Sequence, residues 1–424
     1  MAAIRENIQT TTLPNGIRVV SESVDTVQSI SIGLWVGVGS RHESPGLRGI
    51  THFIEHMLFK GTQRRTARQI AEEIESRGGS LNAFTDKEYT CYYAKALAED
   101  APTVIDVLAD QLRNSVLDPA ELAREKNVVI EEIKRSADTP EDYVHDVFAE
   151  TLWSKHPLGR PTIGSVRSVS ALTPDDLRAY IATHYTPDRI VVSAAGNASH
   201  EEIVGLAADA LGDMGGARHT RRPRAPEPSG ASRRVRRRTE QVHFCLGCPG
   251  YAQGDDDRFA LIILDAVLGG SMSSRLFQEI REKRGLAYSI GSYSVSYLEG
   301  GAFAVYGGTS LETFDEVLAL TRKELDAARS GQLTNEEVSK AKTQLRGAMV
   351  LGLENMSTRM MRMGKSLVYL DRVVPLSEVL SKIDAVTSDD VARVASELFA
   401  EERMTMAAVG PFRREAEEGS QHAG

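Results

Sequence analysis

Along residues 29–38 the chain reads SISIGLWVGV, with Ile30, Ile32, Leu34, Val36 and Val38 at every second position. That period places all five on one face of a pleated strand. Before it, LPNGIRVVSES (13–23) opens on an Asn15-Gly16 turn signal. Downstream the period lengthens. TARQIAEEIESRGG (66–79) reads as a helix entered through a Thr66/Gln69 capping box and stopped at Gly78. SLNAFT (80–85) and YTCYYAKAL (89–97) read as strands. DPAELAREKNVVIEEIKR (118–135) reads as a helix capped by Asp118, with Pro119 in its first turn. Strands and helices intermixed with hairpin signals predict an α+β fold.

The pattern repeats. SALTPDDLRAYIATHYTPDRIVVSAAGN (170–197) aligns without gaps on DAVTSDDVARVASELFAEERMTMAAVGP (384–411), with seven identities in 28 at an offset of 214. Each copy reads as a helix capped by Thr173 or Thr387, then an apolar strand ending at Gly196 or Gly410. The chain of 424 residues is therefore expected to hold two duplicated αβ domains, each a sheet with helices packed on it, related by pseudo-twofold symmetry. Their expected bounds are 1–215 and 239–416, with 216–238 as an Arg/Pro-rich linker and 417–424 as a disordered tail.

Composition narrows the partners. Residues 218–238 hold nine arginines, but no aromatics interleave and net charge is −9, so this stretch reads as a solvated linker and not a nucleic-acid patch. The best apolar run, FALIILDAVL (259–268), is too short to span a membrane and carries Asp265. MAAIRENIQT at the start has neither a signal core nor an Arg-rich transit pattern, which predicts a cytoplasmic protein. Three cysteines give no disulfide framework. Cys245 and Cys248 of CLGC fall on a predicted strand, where residues three apart face opposite ways, so both read as structural.

One segment resists a packing explanation. GITHFIEHMLFKGT (49–62) sets His52, Glu55 and His56 among residues that belong in a core. On a helix, positions 52 and 56 lie about 40° apart and one turn along the axis, so both imidazoles reach one ion. Glu55 lies about 60° to the other side of His52, close enough to act on a metal-bound water without being a ligand. This His-x-x-Glu-His order is the inverzincin signature. Zinc with three protein ligands keeps a position open and acidifies water there, and a nearby carboxylate takes the proton as that water attacks a carbonyl. Local spacing leaves the third ligand open among Glu72, Glu73, Glu75, Glu88, Glu99, Glu125, Glu131 and Glu132. Glu125 and Glu132, two turns apart on one helix face, suit one ligand and one outer partner.

HFIEH (52–56), GGSLNAFT (78–85), NVVIEEI (127–133) and LGGSMSSRLFQEIREKRGLAYS (268–289) together resemble the pitrilysin and insulysin clan, and within it the short-chain, mitochondrial processing peptidase-like bacterial branch. The resemblance implies a zinc endopeptidase acting on unfolded peptides or extended segments, with one zinc ion per chain. It makes His52, His56 and Glu132 the ligands, Glu55 the general base and Glu125 an orienting acid. It assigns Asn82 and Ala83 to an edge strand that pairs with substrate, and Arg281 and Tyr288 to substrate holding and oxyanion stabilisation. Taken alone, Arg281 reads as a solvated helix charge, Tyr288 as a strand core residue, and Asn82 and Ala83 as ordinary hairpin positions. Adding 214 to His52 and His56 gives Ala266 and Gly270, so only the first half can hold metal. A homodimer is expected, in which Arg281 and Tyr288 of one copy complete the zinc site of the other. A non-catalytic scaffold subunit of the same family is the alternative.

Overall fold

The computed structural model describes residues 6–216 and 224–413. Two mixed sheets form from the segments that the alternation marks. The first contains β1 (Ile8–Thr12), β2 (Arg18–Ser23), β3 (Ser29–Val36), β4 (Ser80–Thr85), β5 (Thr90–Leu97) and β6 (Ile190–Gly196), in the order β1-β2-β6-β3-β5-β4. The second contains β7 (Ser232–Arg236), β8 (Val242–Gly250), β9 (Ser289–Tyr297), β10 (Gly300–Thr309) and β11 (Thr405–Gly410), in the order β7-β11-β8-β10-β9. In each, one pair is parallel at the matching place, β2 with β6 and β7 with β11.

The 214-residue offset carries through the structure. Arg18 plus 214 is 232, where β7 begins, and Ser29 plus 214 is 243, inside β8. The stretch expected to be a linker therefore contains β7, the counterpart of β2. Of the rest of that stretch, 217–223 lies outside the described residues, as does 417–424.

The helices follow their caps. Helix α1 (Ile50–Leu58) is followed by α2 (Ala67–Glu75), where Thr66 Oγ1 accepts from Gln69 N at 3.3 Å and Gln69 Oε1 accepts from Thr66 N at 2.9 Å. After α3 (Ala101–Asn114) comes α4 (Pro119–Asp138), with Asp118 Oδ1 accepting from Ala120 N and Glu121 N. Thr173 and Thr387 close matching capping boxes with Asp176 and Asp390 on Pro174–His184 and Ser388–Leu398.

Contacts divide the chain into two compact units that differ from a single cut at 216–238. The first comprises described residues of 1–133, 161–222 and 348–379; the second, those of 134–160, 223–347 and 380–424. Two helices have exchanged places, α5 (Pro140–Leu152) and its offset counterpart Met356–Leu370. Helical periodicity says that a face is apolar but not which sheet it covers, so the sequence pattern hides the exchange.

In the first unit, Met356–Leu370 lies on β2, β3 and β6. Its approach depends on two glycines. A Cβ at Gly33 would come within 2.6 Å of Met360 Sδ, and one at Gly364 within 2.1 Å of Trp35 Nε1. Ion pairs Arg359–Glu22 and Arg362–Glu6 tether the helix to β2 and to the residues that lead into β1. In the second unit, Val144, Val147, Phe148 and Leu152 of α5 share a core with Cys245, Ala304, Ala407 and Val409. Cys91, Cys245 and Cys248 are buried free thiols, each pushed up by burial, which removes thiolate character. No helix among the described residues is long and apolar enough to cross a membrane.

Candidate metal centre

Helix α1 is amphipathic in an unusual sense. Ile50, Phe53, Ile54, Met57 and Leu58 are buried in the first unit's core, while His52, Glu55 and His56 occupy the half-exposed face. Gly49 begins the helix at φ +87°, and a Cβ there would meet Ile163 O at 2.7 Å. The first-turn amides are capped from outside the helix: Gly49 N and Thr51 N donate to the Glu43 carboxylate at 2.7 and 2.9 Å. Burial raises Glu43 to about 7 against the pull of those same bonds.

The two imidazoles stand edge to face one turn apart, with ring centroids 4.7 Å from each other. From α4, Glu132 Oε2 lies 3.5 Å from His56 Nε2 and 4.0 Å from His52 Nε2. Among the described residues these three form the one group whose ligand atoms converge for a metal ion, all within 4.8 Å of one another. Burial, with His56 adding to it, lowers His52 to about 4, so its imidazole is neutral near pH 7 and can offer a lone pair. His56 Nδ1 stands 3.1 Å from Glu125 Oε2, which leaves His56 Nε2 for the cluster. Two nitrogens and one carboxylate oxygen make a donor set of the catalytic zinc type. The residues present fit the ion.

Glu55 projects beside this group. Thr85 Oγ1 of β4 donates to Glu55 Oε2 at 2.6 Å. Burial raises the Glu55 carboxyl, opposed by that hydrogen bond and by His56. A carboxylate moved up from its ordinary range holds a proton more readily than an exposed one, which suits it to taking and returning one.

Of the third-ligand candidates, Glu132 alone reaches both histidines. Glu72 pairs with Arg68, Glu73 with Arg65 and Glu88 with Arg41. Asn82 and Ala83 lie on β4, the edge of the first sheet, opposite Tyr93 and Tyr92 of β5. Asn82 Oδ1 accepts from Ala83 N at 2.8 Å. Arg281 and Tyr288 belong to the second unit and adjoin each other, the guanidinium carbon 5.2 Å from the tyrosine ring centroid. They help line an open depression of about 470 Å³ with Gln241 and Thr309. Tyr288 is 79% exposed and precedes β9, so reading it as strand core fails.

Sequence reasoning missed Thr85, Lys60 and Glu43. Lys60 stands four residues after His56, a spacing that could have flagged it, and its Nζ lies 2.7 Å from Glu125 Oε1. Thr85 meets α1 only through tertiary structure, and Glu43 reaches its first turn across a short loop.

Residues 18–166 match the insulinase (peptidase family M16) model, and residues 171–345 match the M16 inactive-domain model. An uncharacterised zinc protease of Streptomyces coelicolor is 42% identical over 414 residues, 96% of this chain and 90% of that protein. The uncharacterised zinc protease YmxG of Bacillus subtilis is 42% identical over 396 residues, 92% of this chain and 95% of that one. A crystal structure of a protease from Helicobacter pylori superposes with a TM-score of 0.89 at 24% identity, covering 96% of this chain and all of that one, a likeness of fold.

Proposed function

The chain belongs to peptidase family M16, the insulinase family, and from that membership we propose that it is a zinc-dependent endopeptidase cutting unfolded peptides or extended segments. The observation that carries the reading is the convergence of His52, His56 and Glu132 within 4.8 Å, with Glu55 beside them. His52, His56 and Glu132 would hold one zinc ion, which would supply Lewis acidity and acidify a bound water.

Glu55 takes the proton of the attacking water and passes it to the leaving amine, while Thr85 keeps its carboxylate aimed. Edge strand β4, with Asn82 and Ala83, accepts an extended peptide as an added strand. Such a mode demands a backbone free of its own structure, which selects unfolded chain. Arg281 and Tyr288 bind substrate and stabilise the charge that develops on the scissile carbonyl oxygen. The reading includes a homodimer in which those two residues act on the partner's site.

Metal analysis of the purified chain, with digestion of a peptide library, tests the enzyme. One zinc per chain is expected, with hydrolysis lost to a chelator and restored by zinc. A protein without zinc that leaves every peptide intact would instead fit the scaffold alternative. For the dimer, mixing Glu55→Gln with Tyr288→Phe subunits should recover activity once exchange is demonstrated. Continued inactivity of the exchanged mixture would argue against sharing in trans.

A further inference from the structure

Three carboxylates, Glu55, Glu125 and Glu132, crowd one face of the α1–α4 pair, and Glu125 is only 6% exposed. A buried carboxylate is costly unless both oxygens are engaged. Glu125 Oε2 lies 3.1 Å from His56 Nδ1, and Oε1 lies 2.7 Å from Lys60 Nζ. Lys60 is held just past the end of α1, its backbone N–H donating to Met57 O at 3.0 Å. The ring and the ammonium that grip Glu125 are thus carried four residues apart on one chain segment, while Glu125 comes from α4.

We propose that Lys60 is a positioning residue for the metal centre, anchoring Glu125 so that His56 keeps its proton on Nδ1 and its Nε2 lone pair toward the ion. The inference rests on the zinc reading above. Without Lys60, Oε1 of a buried carboxylate loses its cation, and Glu125 is free to turn away from His56 or toward the ion itself. An exposed ion pair would deserve little weight. This one has a buried carboxylate that also contacts a proposed ligand.

The test is zinc affinity of the metal-stripped full chain, measured by competition with a chromophoric chelator. Lys60→Met should weaken zinc binding by up to about 10-fold, the low end of the range for a direct partner of a metal ligand such as Glu125. Lys60→Arg should restore most of the loss. In a Glu125→Gln background, Lys60→Met should add less than about twofold, because its effect passes through Glu125. Lys60→Gln carries the same cycle if Lys60→Met misfolds. Parental affinity in both neutral variants, or losses that multiply across the cycle, would overturn the role of Lys60 alone. Failure of the parent chain to bind zinc would overturn the metal reading with it.

Discussion

The two sheets share one strand order from β2 to β4 and from β7 to β9, and each braces a helix against its edge strand with an acid. In the first unit Thr85 of β4 donates to Glu55 of α1. In the second, Ser292 and Ser294 of β9 donate to Asp265 of the helix Asp257–Leu268. Both acids are raised by burial and pulled back by hydroxyl bonds. What differs is the company. Glu55 stands among His52, His56 and Glu132, whereas the offset positions of the histidines are Ala266 and Gly270. The two acids are not offset counterparts, since Glu55 plus 214 is Gly269, so each half braces its helix from a different position. Such an acid becomes a candidate proton carrier only where imidazoles surround it.

The sharpest way to break this comparison is to neutralise the two acids separately. Glu55→Gln should keep zinc and lower kcat by at least about 10²-fold, within the usual contribution of a general base. Asp265→Asn should leave kcat within about threefold, since only a structural hydrogen bond changes. Equal losses in peptide-hydrolysis assays would mean that the acids share a structural role and that Glu55 is not the base.

A second test concerns the exchanged helices. A Cβ at Gly364 would meet buried Trp35, whose Nε1 donates to Ser193 Oγ at 2.8 Å. The offset counterpart in α5 is Glu150, which pairs with Arg233. Gly364→Ala should cost about 1–3 kcal/mol by overpacking, overriding the up to about 1 kcal/mol that alanine gains in a helix. Glu150→Ala should fall within about 1 kcal/mol of neutral. Urea denaturation reads both. A stabilised Gly364→Ala would show that this helix does not press on β3.

These contrasts also mark what could be read from sequence. His52, Glu55 and His56 were legible because four-residue spacing on one helix is local geometry. The caps at Thr66, Thr173 and Thr387 were legible for the same reason. Spacing alone left Glu132 among eight carboxylates, because meeting α1 is a tertiary event. Three of the others, Glu72, Glu73 and Glu88, spend their charge on arginines that no pattern announces. The arginine run concealed β7, although the repeat offset applied to β2 would have located it. The helix exchange was not legible, since an apolar stripe fits either sheet.

The smallest expected effect is also the most discriminating for Asp265. Burial raises its folded-state carboxyl above the ordinary value of 3.8, against the two serine bonds. A carboxyl raised on folding favours the folded state most below the unfolded pKa, and that contribution is lost as pH climbs through the folded value. Asparagine removes the titration and keeps an acceptor for one serine. Measured against Asp265→Asn, the parent should therefore lose relative stability as pH rises from about 4 toward neutrality. Urea midpoints of both proteins across that range give the difference directly. A difference that stays flat would mean that Asp265 titrates alike in folded and unfolded chains, and the brace in the metal-free half would then be no electrostatic analogue of Glu55.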